Sequence, residues 1–171
     1  MKLLIAKHQM VVLVKNIIWT STLFQSPQME RGKRLESKVL CALQNKERLQ
    51  CYKSGLLLSP ILPILGASPD AIGDDFIVEI KCPNSDKSFK TFLPSKDTIS
   101  QKCKAQMQLQ MFMAKRKKGL FCVAHPDFES SKNITYLWID FDENYTASIT
   151  EKAILFWKNH IFHKLLHSIK K

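Results

Sequence analysis

One segment, residues 66–83, constrains the fold more than any other part of this 171-residue chain. From Phe76 to Lys81 the side chains divide with a period of two, which is typical of a β-strand. One face of this strand carries Phe76, Val78 and Ile80, and the other carries Ile77, Glu79 and Lys81. The turn-forming residues 73–75 come just before it, so residues 67–72 are predicted to fold back antiparallel as a hairpin.

The length of the hairpin loop decides whether Asp70 joins Glu79 and Lys81. A loop of two or four residues centred on Gly73 and Asp74 puts all three on one face, whereas an odd loop turns Asp70 away. Two carboxylates that close raise each other's pKa unless a cation compensates, and Mg²⁺ typically binds one or two carboxylates plus a substrate phosphate. An adjacent lysine can orient or deprotonate a water, so the set suits phosphodiester hydrolysis. A surface hairpin with one apolar and one charged face has the same pattern, and periodicity alone favours that structural interpretation.

The other segments predict an α+β or mixed α/β fold. Helices are expected at about residues 28–50, 98–115 and 148–169, strands at 120–124 and 134–140, short extended pieces at 55–65, and a loop at 84–96. The second helix is predicted to present Ala105, Leu109 and Phe112 on its apolar face, with Gly119 marking its end. Residues 1–18 fit a strand or a helix. We predict a poorly defined segment at 1–27 and a single domain at 28–171.

The charge of the chain points to a polyanionic partner. Lys and Arg number 26 against 15 Asp and Glu, a net charge of +11, which favours nucleic acid first and an acidic membrane second. Residues 86–118 carry +7 of this charge, beside the acidic stretch from Asp70 to Lys81. An acidic pocket in a basic surface favours DNA over lipid. The predicted DNA-backbone contacts are Lys102, Lys104, Lys115, Arg116, Lys117 and Lys118, which would bind more weakly as salt rises.

The five cysteines are scattered and form no C-x-x-C pair, which excludes a disulfide framework and a zinc ribbon. With no uninterrupted apolar run of membrane-spanning length, an intracellular protein without a membrane partner is expected. His160, His163 and His167 share one face of the last helix, where a solvated surface is favoured over a zinc site.

The string LGASPDAIGDDFIVEIKCP resembles the core motif of the PD-(D/E)XK nuclease superfamily, specifically its lambda-exonuclease and YqaJ-type viral recombinase family. Residues 29–40, MERGKRLESKVL, resemble the family's first helix, whose Gly and Glu fall on Gly32 and Glu36. Residues 106–111, QMQLQM, resemble its Gln-rich helix, with the active-site Gln at Gln106. Gln110 lies one turn further along the same helix face. The resemblance covers about residues 28–166 in order.

This resemblance implies a restriction-endonuclease-like core, in which a central mixed sheet is flanked by helices. It implies Asp70 and Glu79 as metal ligands, Glu36 as a further acid near the metal, Lys81 as the residue that places the attacking water, and Gln106 as a contact to that water or the scissile phosphate. The implied reaction is Mg²⁺-dependent hydrolysis of DNA, with Mn²⁺ as an alternative ion, by an exonuclease that acts on duplex ends in recombination or repair. A homo-oligomer and a single-strand annealing protein are further partners that the family suggests.

The chain departs from the family pattern at two places near these residues. Ala71 stands where the family usually has Gly, and if the backbone there needs a positive φ, Ala costs about 1 kcal/mol and tilts Asp70. Residues 102–105 lack the aromatic side chains that typically precede Gln106. These departures leave two alternatives: a catalytically weak DNA-binding module that keeps the fold, and a related endonuclease.

Overall fold

The computed structural model describes residues 26–169, with side chains up to residue 166. Residues 26–150 belong to one compact unit, and residues 151–169 belong to a second. The predictions for residues 1–18, and for most of the segment 1–27, lie outside the described residues. The domain boundary at residue 28 stays a prediction.

The first unit is built on a five-stranded mixed sheet in the order β1-β4-β5-β6-β7. Its strands are β1 (Cys51–Lys53), β4 (Ala71–Gly73), β5 (Phe76–Lys81), β6 (Lys118–Ala124) and β7 (Ile134–Asp140). The central pair, β5 and β6, is parallel, and the other pairs are antiparallel. Two short strands, β2 (Leu57–Leu58) and β3 (Gly66–Ala67), pair separately. The predicted mixed sheet is confirmed.

Helices cover both faces of this sheet, as the fold prediction requires. Those of the first unit are α1 (Pro27–Glu47), α2 (Asp86–Phe92), α3 (Gln101–Ala114) and α4 (Phe128–Ser131), and α5 (Glu143–Phe156) begins within it. The Ser26 hydroxyl accepts a hydrogen bond from the Met29 amide and so fixes the start of α1, and Arg48 ends it in a left-handed conformation. Apolar residues of α1 pack with Phe76, Val78 and Ile80 on one face of the sheet. Those of α3 pack with Ile77 on the other face, which also carries Glu79 and Lys81.

The predicted hairpin forms, but it is shorter and is centred elsewhere. Ala71 pairs with Val78 and Ile72 with Ile77, so the loop is the two residues 74–75 rather than a loop centred on Gly73 and Asp74. A Cβ on Gly73 would lie 2.2 Å from Cε1 of Phe76, so this position requires glycine. Ala67, predicted to join the hairpin, pairs with Leu57 of β2 instead.

Two further expectations about local structure are wrong. Residues 84–96 contain helix α2, whose capping box joins Ser85 and Ser88, and two serines three residues apart were its sequence signal. Helix α3 ends at Ala114, its C-cap Lys115 has a φ of 54°, and Gly119 lies inside β6. A Cβ on Gly119 would lie 2.5 Å from Cε of Met107, so this glycine lets α3 pack close to the sheet.

The predicted apolar face of α3 is also wrong. Cys103, Met107 and Met111 are buried, whereas Phe112 is 38% exposed. Gln108 and Gln110 are buried with them. The buried side of this helix is therefore partly polar, and a search for apolar residues at helical spacing cannot find it.

The last predicted helix begins five residues earlier than expected, at Glu143, because the Asp142 carboxylate accepts a hydrogen bond from the Tyr145 amide. In the second unit the helical chain continues as a π-helical turn (Trp157–Phe162) and α6 (His163–Ile169). His160 and His163 are exposed, as predicted for a solvated face, and the side chain of His167 lies outside the described residues. Between residues 26 and 169 no helix is long and apolar enough to cross a membrane.

Candidate active site

Asp70 is held against the central strand immediately before β4. Its amide donates to the carbonyl of Val78 at 2.9 Å, and its Oδ2 accepts from the amide of Ile80 at 2.6 Å. Because Val78 also pairs with Ala71, two successive residues lie opposite one, as in a β-bulge. Bulges re-aim side chains next to functional sites, and here the carboxylate of Asp70 is turned onto the edge of β5.

The pKa of Asp70 is raised from 3.8 to about 7. Burial is the largest cause, followed by the charge of Glu79, with a smaller contribution from Glu36. The hydrogen bond from Ile80 and the charge of Lys81 act in the opposite direction but do not compensate. A cation bound near Asp70, in addition to the Lys81 ammonium, would therefore be stabilised by the uncompensated negative charge.

Glu79 is 3% exposed and lies in the middle of the sheet. Its Oε1 accepts from Nζ of Lys81 at 2.5 Å and from Nε2 of Gln106 at 2.7 Å. Its Oε2 accepts from Nε2 of Gln110 at 2.6 Å. Buried carboxylates are tolerated when they are paired and hydrogen-bonded, and both oxygens of Glu79 meet this requirement.

Lys81 links the strand to helix α3. Its Nζ donates to Glu79 and, at 3.1 Å, to Oε1 of Gln106. Its side chain remains 21% exposed, so the ammonium lies where buried carboxylates meet solvent. The structure thus brings together Asp70, Glu79, Lys81 and Gln106, as the sequence predicts.

Glu36 lies at the margin of this group. Its charge contributes to the raised pKa of Asp70, and its Oε1 is 3.5 Å from Nζ of Lys53. Lys53 is a residue that sequence reasoning missed. It pairs with Ala71 across β1 and β4, and only that long-range register brings it to the site.

Gln110 is the second residue that was missed as part of the site. Its Nε2 donates to Glu79 and also, at 3.1 Å, to the carbonyl of Ser68. The signal was present in the sequence, because Gln110 follows Gln106 by four residues on the same helix face.

Ala71 does not strain the site. It is fully buried in the core, and Arg48, Lys115 and Lys132 are the non-glycine residues with positive φ in the described part of the chain. The backbone at Ala71 does not have a positive φ, so the condition under which alanine would cost stability and tilt Asp70 is not met.

The residues predicted to contact DNA fall into two groups. Lys102 lies one turn before Gln106 on the same side of α3 and is exposed. Lys104 lies over the Tyr145 ring, with its Nζ 3.8 Å from Oδ2 of Asp142. The other four, Lys115, Arg116, Lys117 and Lys118, lie at the opposite end of the parallel strand pair, where Lys118 pairs with Phe76.

Two members of this second group already have contacts within the protein. Arg116 donates to the carbonyls of Gly73 at 3.2 Å and Ala114 at 3.3 Å, and Nζ of Lys117 lies 4.8 Å from the centre of the Phe141 ring. Lys118 is exposed at the start of its strand. Of Lys117 and Lys118, Lys118 is therefore the one whose ammonium is more available to a phosphate.

The two carboxylates form an open site for a hard divalent cation, not a site in which protein side chains supply every ligand. Within residues 26–169, no three His, Cys, Asp and Glu side chains are arranged to hold a metal ion. Asp70 and Glu79 nevertheless interact strongly enough to raise the pKa of Asp70. Mg²⁺ prefers oxygen ligands and commonly binds one or two carboxylates, completing its shell with water and substrate phosphate, so this donor set fits Mg²⁺.

Glu79 and Lys81 on the central strand β5, with Asp70 immediately before β4, lie on a mixed sheet whose fold is that of known exonucleases. An alkaline exonuclease from Laribacter hongkongensis is similar in structure, with a TM-score of 0.76 and 23% identity over 96% of this chain and 87% of that chain. Its complex with dAMP gives the same TM-score at 22% identity, over 95% and 85% of the two chains. A phage-related exonuclease from Haemophilus somnus 129PT gives 0.69 at 14% identity, over 96% and 85%.

The chain belongs to the family of the YqaJ-like viral recombinase domain, which matches residues 4–117. This match includes α1, the hairpin and α3, and therefore all the residues of the candidate active site. No curated protein matches the sequence significantly.

Proposed function

We propose that this protein is a Mg²⁺-dependent exodeoxyribonuclease that hydrolyses phosphodiester bonds at duplex ends, in recombination or repair. The observation that carries the proposal is the buried Glu79, hydrogen-bonded to Lys81 and Gln106 beside an Asp70 whose pKa is raised to about 7. Membership of the YqaJ-like family and the fold shared with two crystallised exonucleases support it.

Each residue has a distinct part in this reaction. Asp70 and Glu79 would hold the cation, with Glu36 close enough to add negative charge. When bound, Mg²⁺ would polarise the phosphate and favour ionisation of a water. The Lys81 ammonium would orient the attacking water and neutralise charge that develops on the phosphate, and Gln106 would fix the direction of Lys81. Cleavage of the P–O3′ bond would then leave a 5′-phosphate.

DNA binding would rest on contacts to the backbone. Lys102 lies one helical turn before Gln106 and is exposed, so we infer that it contacts phosphate near the scissile bond. Lys118 pairs with Phe76, roughly 17 Å along the strand from Lys81 and on the sheet face that α1 covers, so it would contact DNA only away from the cleavage site. Replacing Lys102 by Ala should lower the slope of log affinity against log salt by about one, whereas Lys46→Ala, on α1 at the other face of the sheet, should leave the slope unchanged.

Degradation of linear and covalently closed circular duplex tests the proposed activity. Each substrate is incubated with Mg²⁺, with Mn²⁺ or with a chelator, beside a Lys81→Met variant. We expect loss of linear DNA that requires the metal and falls about 10²–10⁴-fold in the variant, with circular DNA intact.

Other outcomes would point to the alternatives. Metal-dependent degradation of circular DNA would identify an endonuclease. Salt-sensitive DNA binding with no degradation above the Lys81→Met background would identify a binding module and refute the proposal. The unstrained Ala71 argues against that second alternative, because the departure from the family's glycine leaves Asp70 in place.

A further inference from the structure

We propose that Gln110 is a positioning residue, which sets the orientation of Glu79 for cation binding and couples it to the segment that carries Asp70. This inference rests on the proposed function and adds a residue to its machinery.

The hydrogen bonds of Gln110 fix how its side-chain amide is oriented. Its Nε2 donates to Oε2 of Glu79 at 2.6 Å and to the carbonyl of Ser68 at 3.1 Å. The Ser68 carbonyl and an ionised Glu79 carboxylate can only accept hydrogen bonds. Nε2 must therefore face them with both of its hydrogens, since a flipped amide would place Oε1 against two acceptors. The side chain is 2% exposed, and its Oε1 has no hydrogen-bond partner among the described residues.

These two bonds connect the parts of the chain that supply the two carboxylates. Glu79 lies on the central strand, whereas Ser68 comes two residues before Asp70. A single amide on α3 therefore restrains the distance between the strand and the approach to Asp70. Hydrogen bonds to an ionised carboxylate are roughly twice as strong as those between neutral groups, so the restraint on Glu79 is firm.

Gln110 and Gln106 act on different oxygens and different partners. Gln106 contacts Lys81 as well as Oε1 of Glu79, so its loss would disturb the lysine directly. Of the two oxygens of Glu79, Gln110 bonds Oε2, which Lys81 does not contact. Without Gln110, Glu79 could rotate while the bonds between Lys81 and Gln106 remain. The expected defect is therefore weaker cation binding.

Gln108 provides a matched control on the same helix. It is equally buried, and it bonds the carbonyl of Asp140, the amide of Asp142 and the hydroxyl of Thr146, none of which belongs to the candidate active site. Gln108→Met should therefore reduce stability at least as much as Gln110→Met without altering Glu79.

The experiment measures the affinity for Mn²⁺. Electron paramagnetic resonance gives the concentration of free Mn²⁺, and the bound Mn²⁺, obtained by difference, is expressed per mole of folded protein. We expect Gln110→Met to weaken binding about 10–100-fold and Gln108→Met to stay within twofold of the wild type. Excess Mn²⁺ should restore much of the lost kcat in Gln110→Met. Gln110→Leu serves as the second variant should Gln110→Met not fold. Wild-type affinity in the Gln110 variants, or an equal loss in Gln108→Met, would overturn the proposal.

A double-mutant cycle separates this inference from the proposed function. Gln110→Met and Glu79→Gln are combined, and the urea midpoints of the four proteins are compared. If the wild type neither binds Mn²⁺ nor degrades DNA, the proposed function fails, and the cycle alone decides whether Gln110 restrains Glu79. Non-additive shifts in the midpoint support the restraint, and additive shifts refute it.

Discussion

Replacing Asp70 by Asn should stabilise the metal-free protein above neutral pH. The pKa of this carboxyl rises from 3.8 to about 7 on folding, mainly through burial and then through the charge of Glu79. Since the folded protein binds this proton more tightly than the unfolded chain, the contribution of Asp70 to stability is greatest below about pH 4 and falls as the pH rises to about 7. Asn has the same size and can still accept the hydrogen bond from Ile80, but it carries no charge.

The size of the effect follows from the shift in pKa. About three pKa units at roughly 1.4 kcal/mol each give on the order of 4 kcal/mol at pH 8 as an upper bound. Urea unfolding of wild type and Asp70→Asn, in a chelator and from pH 4 to pH 8, measures this difference. We expect the variant to gain stability relative to the wild type across that range and to plateau above pH 7. Adding Mg²⁺ at pH 8 should narrow the gap, because the ion stabilises only the protein that binds it.

Asp74→Asn is the matched control, because Asp74 is an exposed carboxylate in the two-residue loop of the same hairpin. This variant is measured at the same pH values, so that the effect of removing a charge from the loop is separated from the effect of removing the buried charge of Asp70. A constant difference between Asp70→Asn and the wild type from pH 4 to pH 8 would show that burial of Asp70 carries no electrostatic cost, and the reasoning would be refuted.

Two further predictions concern the frame around the site. Gly73→Ala would place its Cβ 2.2–2.8 Å from three ring atoms of the buried Phe76, so it should destabilise the protein by about 1–3 kcal/mol, whereas Gly55→Ala, with no atom within 4 Å of its Cβ, should not; equal urea midpoints for the two variants would contradict this. The hydrogen bond from Arg34 lowers the pKa of Glu129 to about 2, so the stability it contributes is present above about pH 4.5 and lost as the pH falls towards 2. Thermal unfolding of Glu129→Gln should therefore differ from the wild type at pH 6 and converge with it near pH 2, and a difference that persists at pH 2 would count against the ion pair.

Strand β5, which carries Glu79 and Lys81, could be predicted from the sequence because the pattern that defines it is local. A period of two assigns Glu79 and Lys81 to one face. A loop of even length at the adjacent turn residues is what brings Asp70 to that face. The actual loop, residues 74–75, keeps this parity although its centre differs from the prediction. Moving the centre of the loop by one residue changes each residue's partner on the other strand by two positions. Since side chains alternate with a period of two, each stays on its predicted face, and the error in the loop position does not change the composition of the site.

The contributions of Lys53 and Gln110 could not be predicted in the same way, because they depend on contacts between distant segments. Lys53 reaches Glu36 only through the pairing of β1 with β4. The buried side of α3 includes Gln108 and Gln110, whose amides are satisfied by a loop and by a carboxylate rather than by solvent. Patterns of hydrophobicity assume that polar residues face water, so they assign the wrong face to such a helix.

The two carboxylates of the site are compensated unequally, and this has a consequence for Lys81. Glu79 has three side-chain donors, whereas Asp70 has a single backbone donor and a raised pKa. A divalent cation held by Asp70 and Glu79 would lie near the Lys81 ammonium, which donates to Oε1 of Glu79, and the two like charges would oppose each other. Lys81→Met should therefore bind Mn²⁺ at least as tightly as the wild type, although its cleavage of DNA should be much slower. Weaker Mn²⁺ binding in this variant would mean that Lys81 helps to hold the ion site together, and the assignment of the lysine to the water and phosphate would then fail.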